Sequence, residues 1–406
     1  MGKISFRHLL SLFFICCIFH LHAREPYDAT VTVGPVSVTI SDPNLVDLSR
    51  SLQSPAITEL IPFYTPTTPI SILFNFRGIE ALTAFPADST TLFVTIPETN
   101  TTLTFAGGTR ENSITLFKDY VRDAGTNHNL LRAYAKDSPI DPIAGNPNSL
   151  LAQMAQYDYL AGHLSPFSGC DSCWKAQPIV HQFQAGLKSG RAFDGGYDTT
   201  IVTIPLRYSY SPNLDWALII DSPLTYYRNG GASSFFSSLG IGFRLPLLQD
   251  WSITSSVRLG AGGSLDLCTS GCFLLTGLNS VYNYKISDFI FSLTNYAGYY
   301  TSVNLWLTGI NFNYQLQNYI FKNGLSFTSC RGWDVWNKPV NFSVSFTDSY
   351  FPSGRLYLRH YDEIEVSLLI NSINPCIDYD CLSIGFAYQF GEKSLHGYYL
   401  NIVYQF

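Results

Sequence analysis

Charge is what this 406-residue sequence has least of: Asp, Glu, Lys and Arg together make up 13%, where soluble domains carry about 25%. Beyond the N-terminus it also lacks any run of about 20 apolar residues, which excludes a bundle of membrane-spanning helices. There is no Gly-rich phosphate loop and no dinucleotide fingerprint. There is no G-x-S-x-G nucleophile elbow either, a motif that belongs to another fold. Nucleotide-dependent chemistry and α/β-hydrolase chemistry therefore find no support, and the sequence calls for no cofactor and no metal.

Other residues are plentiful. Aromatics are 15% of the chain, with 29 Phe and 26 Tyr, and mean hydropathy is only +0.09. Small polar residues offset the aromatics. This composition suits strands that are greasy on one face and polar on the other, as in a membrane barrel.

Residues 1–23 have the layout of a secretory signal peptide. Lys3 and Arg7 precede an apolar run from Leu9 to Phe19, and Leu21-His22-Ala23 predicts a cut before Arg24. Cys16 and Cys17 lack the preceding small residue of a lipidation signal. Removing the peptide takes two of the 24 basic residues and none of the 30 acidic ones, moving the net charge from −6 to −8. That sign argues against nucleic acid as a partner.

Residues 24–148 read as a small α+β domain. Ala29 to Ile40 is strand-like, and Asp42-Pro43 predicts the start of a helix running to Leu52. Ile70–Phe85, Thr91–Ile96 and Thr101–Phe105 read as strands, and Asn112–Arg122 and Leu130–Lys136 as helices. The Pro/Asn/Gly-rich stretch 138–148 marks a boundary. Residues 149–178 follow as a helix (Ser149–Leu164) and a cysteine-containing linker.

From residue 179 to 406 the period is two. Thirteen alternating segments can be marked: 179–187, 202–210, 214–220, 239–245, 251–260, 274–286, 289–299, 306–314, 319–328, 340–346, 356–370, 382–390 and 398–406. A single-chain bacterial barrel has an even number of strands. The reading adopted is twelve, with the weak first segment outside the wall. Fourteen is the alternative, if 356–370 is two strands with His360 and Asp362 in a turn.

The final strand is the most specific feature. Phe406, Tyr404, Ile402, Leu400 and Tyr398 occupy every second position, opposite Gln405, Asn401 and Gly397. With the repeated alternation before it, this strand resembles the closing strand of Gram-negative outer-membrane β-barrels. The resemblance covers residues 179–406 and the signal peptide. It implies that Phe406 and the alternation before it are read by the barrel-assembly machinery, that lipid surrounds the wall, and that the outer membrane is the destination.

Arg207, Arg244 and Arg258 fall on the polar side of their strands, as do Asp215 and Asp221. They would line a pore and act on passing ions, or neutralise one another in a closed lumen. Seven cysteines follow the signal peptide. Cys170/Cys173, Cys268/Cys272 and Cys376/Cys381 form close pairs, which in an exported chain predicts short local disulfides. Cys330 is left over, to stay free, to pair outside its neighbourhood or to cross-link to another envelope protein. His360 and Asp362 could make an orienting contact in a hydrolase; loop polarity is the plainer reading. His128, His163, His181 and His396 are scattered. Asn229-Gly230-Gly231 reads as a turn. Two N-x-S/T sequons begin at Asn100 and Asn341.

The functional expectation is a non-enzymatic, porin-like channel for small solutes or ions. The alternatives are an autotransporter-like barrel, with a helix threading the pore and residues 24–150 as cargo, and a cysteine-stapled structural or adhesive envelope protein.

Overall fold

The computed structural model describes residues 24–122, 128–162, 181–213, 216–307, 310–330, 333–335, 338–352, 354–371 and 381–405. The N-terminal domain is built on six strands: β1 (Tyr27–Val33), β2 (Val36–Asp42), β3 (Ile70–Phe76), β4 (Ile79–Phe85), β5 (Thr91–Ile96) and β6 (Thr101–Ala106). They form one antiparallel sheet in the order β2-β1-β3-β4-β5-β6. The predicted strand 29–40 is in fact a hairpin, because Gly34 takes φ +55 and Pro35 follows it. Ile70–Phe85 is likewise two strands, turning at Arg77 (φ +55) and Gly78 (φ +94).

Helices α1 (Leu45–Ser51), α2 (Ser54–Leu60) and α3 (Arg110–Arg122) pack beside this sheet. The cap of α1 is Asn44 rather than Asp42: its side-chain oxygen accepts from the Asp47 N–H at 2.8 Å. The period-two pattern of β3 sends Ile72, Phe74 and Phe76 inward to join Leu45, Leu48 and Phe117 in the core. Phe74 and Phe117 meet edge to face at 5.3 Å. Helix α4 (His128–Asp137) ends the domain, and every residue from Pro139 to Ala152 is then buried.

The second half is a closed antiparallel barrel of twelve strands. Its first wall strand is β7 (His181–Asp194). The second is β8 (Tyr197–Ile204) continued by β9 (Leu206–Asn213), and the third is β10 (Trp216–Asp221) continued by β11 (Leu224–Asn229). The breaks fall at Pro205 and Pro223, which have no N–H to give to a ladder. Bonds from Gly186 N to Pro205 O (3.1 Å) and from Ser222 N to Leu206 O (2.8 Å) carry the wall across them. The next five wall strands are β12 (Ala232–Leu248), β13 (Trp251–Ser264), β14 (Thr269–Ile286), β15 (Phe289–Val303) and, after a short hairpin of β16 (Leu305–Leu307) and β17 (Ile310–Phe312), β18 (Gln317–Ser329). A three-residue β19 (Trp333–Val335) precedes β20 (Lys338–Tyr350), β21 (His360–Asn371), β22 (Cys381–Gly391) and β23 (His396–Gln405). Closure comes from β23 against β7, from His396↔Phe193 to Gln405↔Gln184.

Twelve is the number adopted from the sequence, but the segment to discard is a different one. The weak first segment belongs to the wall as β7. Segment 306–314 does not: its β16–β17 hairpin bridges two wall strands, and short alternation alone cannot separate the two cases. Segment 356–370 is one wall strand that starts only at His360, with Leu356 and Leu358 buried in the connection before it.

The wall is apolar outside. On β15 the outward residues are Phe289, Phe291, Leu293, Asn295, Ala297 and Tyr299. Phe289 packs on Phe327, and Tyr299 on Tyr319. The ten-residue step from Phe289 to Tyr299 spans about 33 Å along the strand, or about 25 Å at a tilt of about 40°. That is the height of a membrane barrel's apolar band between its two aromatic girdles. The chain is a membrane-spanning barrel of the outer-membrane type.

Antiparallel pairing puts connections 195–196, 230–231, 265–268, 304–316, 351–359 and 392–395 at one end. The N-terminal domain sits on that end. Arg24 N donates to Gly196 O at 3.1 Å, Gly231 N to the Glu25 carboxylate at 3.2 Å, and Asn75 Nδ2 to Tyr197 Oη at 2.9 Å. The first wall strand begins, and the last one ends, at the opposite end.

A candidate functional site in the barrel lumen

The lumen is occupied. Helix α5 (Leu150–Ala161) starts at Ser149, whose hydroxyl accepts from Ala152 N, and lies against β12, β13, β14 and β15. It covers most of the predicted helix, and residues 163–180 lie outside the described ones. Two glycines on the inner wall make room for it. A Cβ at Gly260 would collide with Met154 Sδ and stand 3.0 Å from Leu150 Cδ1; one at Gly324 would strike the Tyr159 hydroxyl.

Asp158, Gln153 and the last carbonyls of α5 meet the wall. Asp158 accepts from Arg258 Nε at 2.7 Å, and Arg258 Nη2 lies 2.6 Å from Asp221 Oδ1. Arg207 Nη2 stands 3.8 Å from the other oxygen of Asp221. Arg207 also donates to the Leu160 carbonyl at 3.4 Å, and Asn279 to that of Tyr159 at 2.5 Å. The Gly162 N–H at the helix C-cap reaches both carbonyls, and the wall donors add a second partner to each where the helix itself runs out of N–H groups. Thr225 donates to the Gln153 side chain at 3.1 Å. Two buried cations and two buried anions thus balance around one helical turn, and removing any one of them strands the others.

The pore-lining candidates accordingly divide. Arg207, Arg258 and Asp221 come together with Asp158; Arg244 lines the remaining space; Asp215 lies outside the described residues. Asp158 was not singled out in the sequence, although one carboxylate in an otherwise uncharged helix is a signal that a partner cation faces it. Lys322 was missed as well. It is buried, donates to Ser349 at 2.8 Å and lies 5.7 and 5.4 Å from the rings of Tyr159 and Tyr361. The lumen space left beside α5 is about 300 Å³, also bordered by Lys188, Glu363 and Glu365.

Where the domain meets the barrel mouth, a second buried cluster forms. The Arg77 guanidinium stacks 3.3 Å over the Tyr134 ring and lies 3.7 Å from Asp141 Oδ1. Tyr314, from the connection after β17, donates to the same Asp141 oxygen at 3.0 Å. Burial pushes the Asp141 carboxyl up to about 6, with Arg77 and the Tyr314 hydrogen bond opposing it. Burial also works against the Arg77 charge, but Tyr134 and Asp141 outweigh it and hold the guanidinium firmly protonated.

The remaining candidates lie elsewhere. His360 and Asp362 share the outward face of β21, as their spacing of two predicts. His360 Nε2 is 2.5 Å from Asp348 Oδ1 and 4.0 Å from Asp362 Oδ1. Cys268 and Cys272 carry thiols and are not bridged to one another, a correction to the expected local disulfide. Four residues apart, they end up on different elements: Cys268 in the turn before β14 (φ +48), Cys272 buried within that strand opposite Ala261. Cys330 and Cys381 are each disulfide-bonded, so Cys330 is not left as an unpaired thiol. Cys170, Cys173 and Cys376 lie outside the described residues, and the pairings Cys170/Cys173 and Cys376/Cys381 stay expectations.

His181 shares a hydrogen bond with Tyr208 at 2.7 Å, and His396 donates to the Ser394 carbonyl. His163 and the side chain of His128 are outside the described residues. Asn229-Gly230-Gly231 does turn β11 into β12. Asn341, at the second sequon, is buried. Tyr398, Ile402 and Tyr404 alternate outward on β23, with Leu400 between them; Phe406 is outside the described residues.

No protein-family model and no curated protein matches the sequence. Among solved structures, the beta domain of the Bordetella autotransporter Brka is 10% identical, covering 56% of this chain and 99% of its own, at TM-score 0.43. The translocator domain of the autotransporter NalP from Neisseria meningitidis is 11% identical, covering 63% and 98%, at 0.41. An outer-membrane channel from Pseudomonas putida F1 is 12% identical, covering 59% and 98%, also at 0.41. At these values the membrane assignment rests on this chain's own lipid-facing wall.

Proposed function

We propose that this protein is an autotransporter-like anchor: a plugged outer-membrane barrel that holds its N-terminal domain at the cell surface. The supporting observation is the path of the chain. Residues 138–162 enter the lumen from the end that carries the domain, and the first wall strand begins at the other end. With the start of β7 and the end of β23 on the periplasmic side, the domain lies at the surface, and residues 24–137 cross the barrel before α5 lodges in it.

The occupied lumen supports the same reading over a wide-open channel: α5 fills the side along β12 to β15, and the space left beside it is about 300 Å³. Arg258, held between Asp158 and Asp221, acts here as a lock on the helix rather than as part of an ion filter. Lipid around the wall, and barrel-assembly machinery that reads Phe406 and the alternation before it, are the partners this reading requires. Catalysis has no part in it.

Protease treatment of intact cells tests the arrangement. The expected outcome is cleavage within residues 24–137 with the barrel left whole. Protection of that region until the outer membrane is permeabilised would place the domain in the periplasm and return the protein to a channel capped from below.

A further inference from the structure

We propose that Asp348, His360 and Asp362 form a divalent-metal site, suited to zinc, on the lipid-facing side of the wall near its domain-bearing end. One donor atom from each residue lies within 4.8 Å of the other two. A tetrahedral ion with bonds of about 2.0–2.2 Å holds its ligand atoms about 3.4 Å apart. The present spacings of 2.5 and 4.0 Å from His360 Nε2 therefore bracket what an ion needs.

The sheet register gives an independent reason. Asp348 and Asp362 are directly paired across β20 and β21, and like charges in that relation repel. Both point outward, and so do their strand neighbours Phe346, Tyr350 and Ile364, which are all exposed. Two carboxylates facing each other in an apolar band are costly unless neutralised. Protonated His360 offsets one negative charge; a divalent ion held by neutral His360 offsets both.

The local contacts leave room for such an ion. Asn323 Nδ2 donates to the second oxygen of Asp348 at 3.2 Å, fixing that carboxylate while its first oxygen stays directed at His360. A set of one imidazole and two carboxylates suits zinc, with manganese second, and is too hard for copper(I). Such an ion would tie β20 to β21 at the membrane boundary.

The test is a zinc titration of the full-length protein in detergent, after chelator treatment and dialysis, against Asp362→Asn and His360→Gln. Wild type is expected to bind one more equivalent than either variant and to gain more thermal stability from zinc. In wild type alone, cobalt(II) bound here should show the weak visible bands of an N/O site, without a thiolate charge-transfer band, and zinc should bleach them. Equal stoichiometry in all three proteins, or cobalt bands of thiolate type only, would overturn the proposal and leave His360 simply paired with Asp348.

Discussion

Leu82 on the domain sheet and Leu293 on β15 look alike by exposure, at 54% and 44%, yet they face different solvents. In the domain sheet the period-two pattern sends Phe74 and Ile72 into a core. In the barrel the same period sends Leu293 and Phe291 out to lipid and Arg258 and Asn279 in. One backbone geometry serves both, and what decides burial is which face meets water. The segment joining the two halves follows the barrel's rule: α5 brings Asp158, Gln153 and its terminal carbonyls to a wall that is polar inside.

The contrast can be broken most strongly at its charged centre. Arg258→Ala leaves Asp158 and Asp221 buried without their main cation, and the expected cost is about 3–5 kcal/mol. Chemical unfolding should show the barrel's midpoint falling while the tyrosine and phenylalanine core of the domain melts as before.

One substitution made in both places separates the two solvents. Leu293→Arg, near the middle of the apolar band, should cost about 2–4 kcal/mol. Leu82→Arg should stay within about 0.5 kcal/mol, as at an ordinary water-facing position. Equal effects in the two places would mean that the β15 face does not meet lipid.

Crowding the lumen comes next. Gly260→Val pushes against Met154 and Leu150 and should cost about 1–3 kcal/mol. Heightened protease sensitivity around residue 162 would register the loosened helix.

The smallest effect concerns pH at the junction of the halves. With Asp141 near 6 in the folded protein and about 3.9 when unfolded, the folded state binds more protons between those values. Stability should therefore fall as pH rises from about 4 to 6. Asp141→Asn should flatten that slope, which unfolding midpoints at several pH values would reveal.

Much of this architecture is legible in the sequence because lipid imposes a strict rule. Alternation, sparse charge and the aromatic final strand identify the barrel without any contact map. Four features are not legible, each for its own reason. Pro205 and Pro223 divide two wall strands, so local windows see fragments where ladder partners carry the wall through. Residues 306–314 alternate like a wall strand, but only pairing reveals a hairpin above the membrane. The Asp158–Arg258 contact joins residues 100 positions apart; the sequence shows both charges and not their meeting. In the domain, Gly34 and Gly78 mark turns that a longer reading of strand propensity runs through.

In the proposed arrangement α5 closes the lumen and Arg258 holds it there. Single-channel recording of the full-length protein in planar bilayers tests this most directly. A silent wild type, with Arg258→Ala giving intermittent openings, is the result expected. Steady ohmic steps from the unmodified full-length protein would contradict this, because they would make the space beside α5 a continuous path through the barrel.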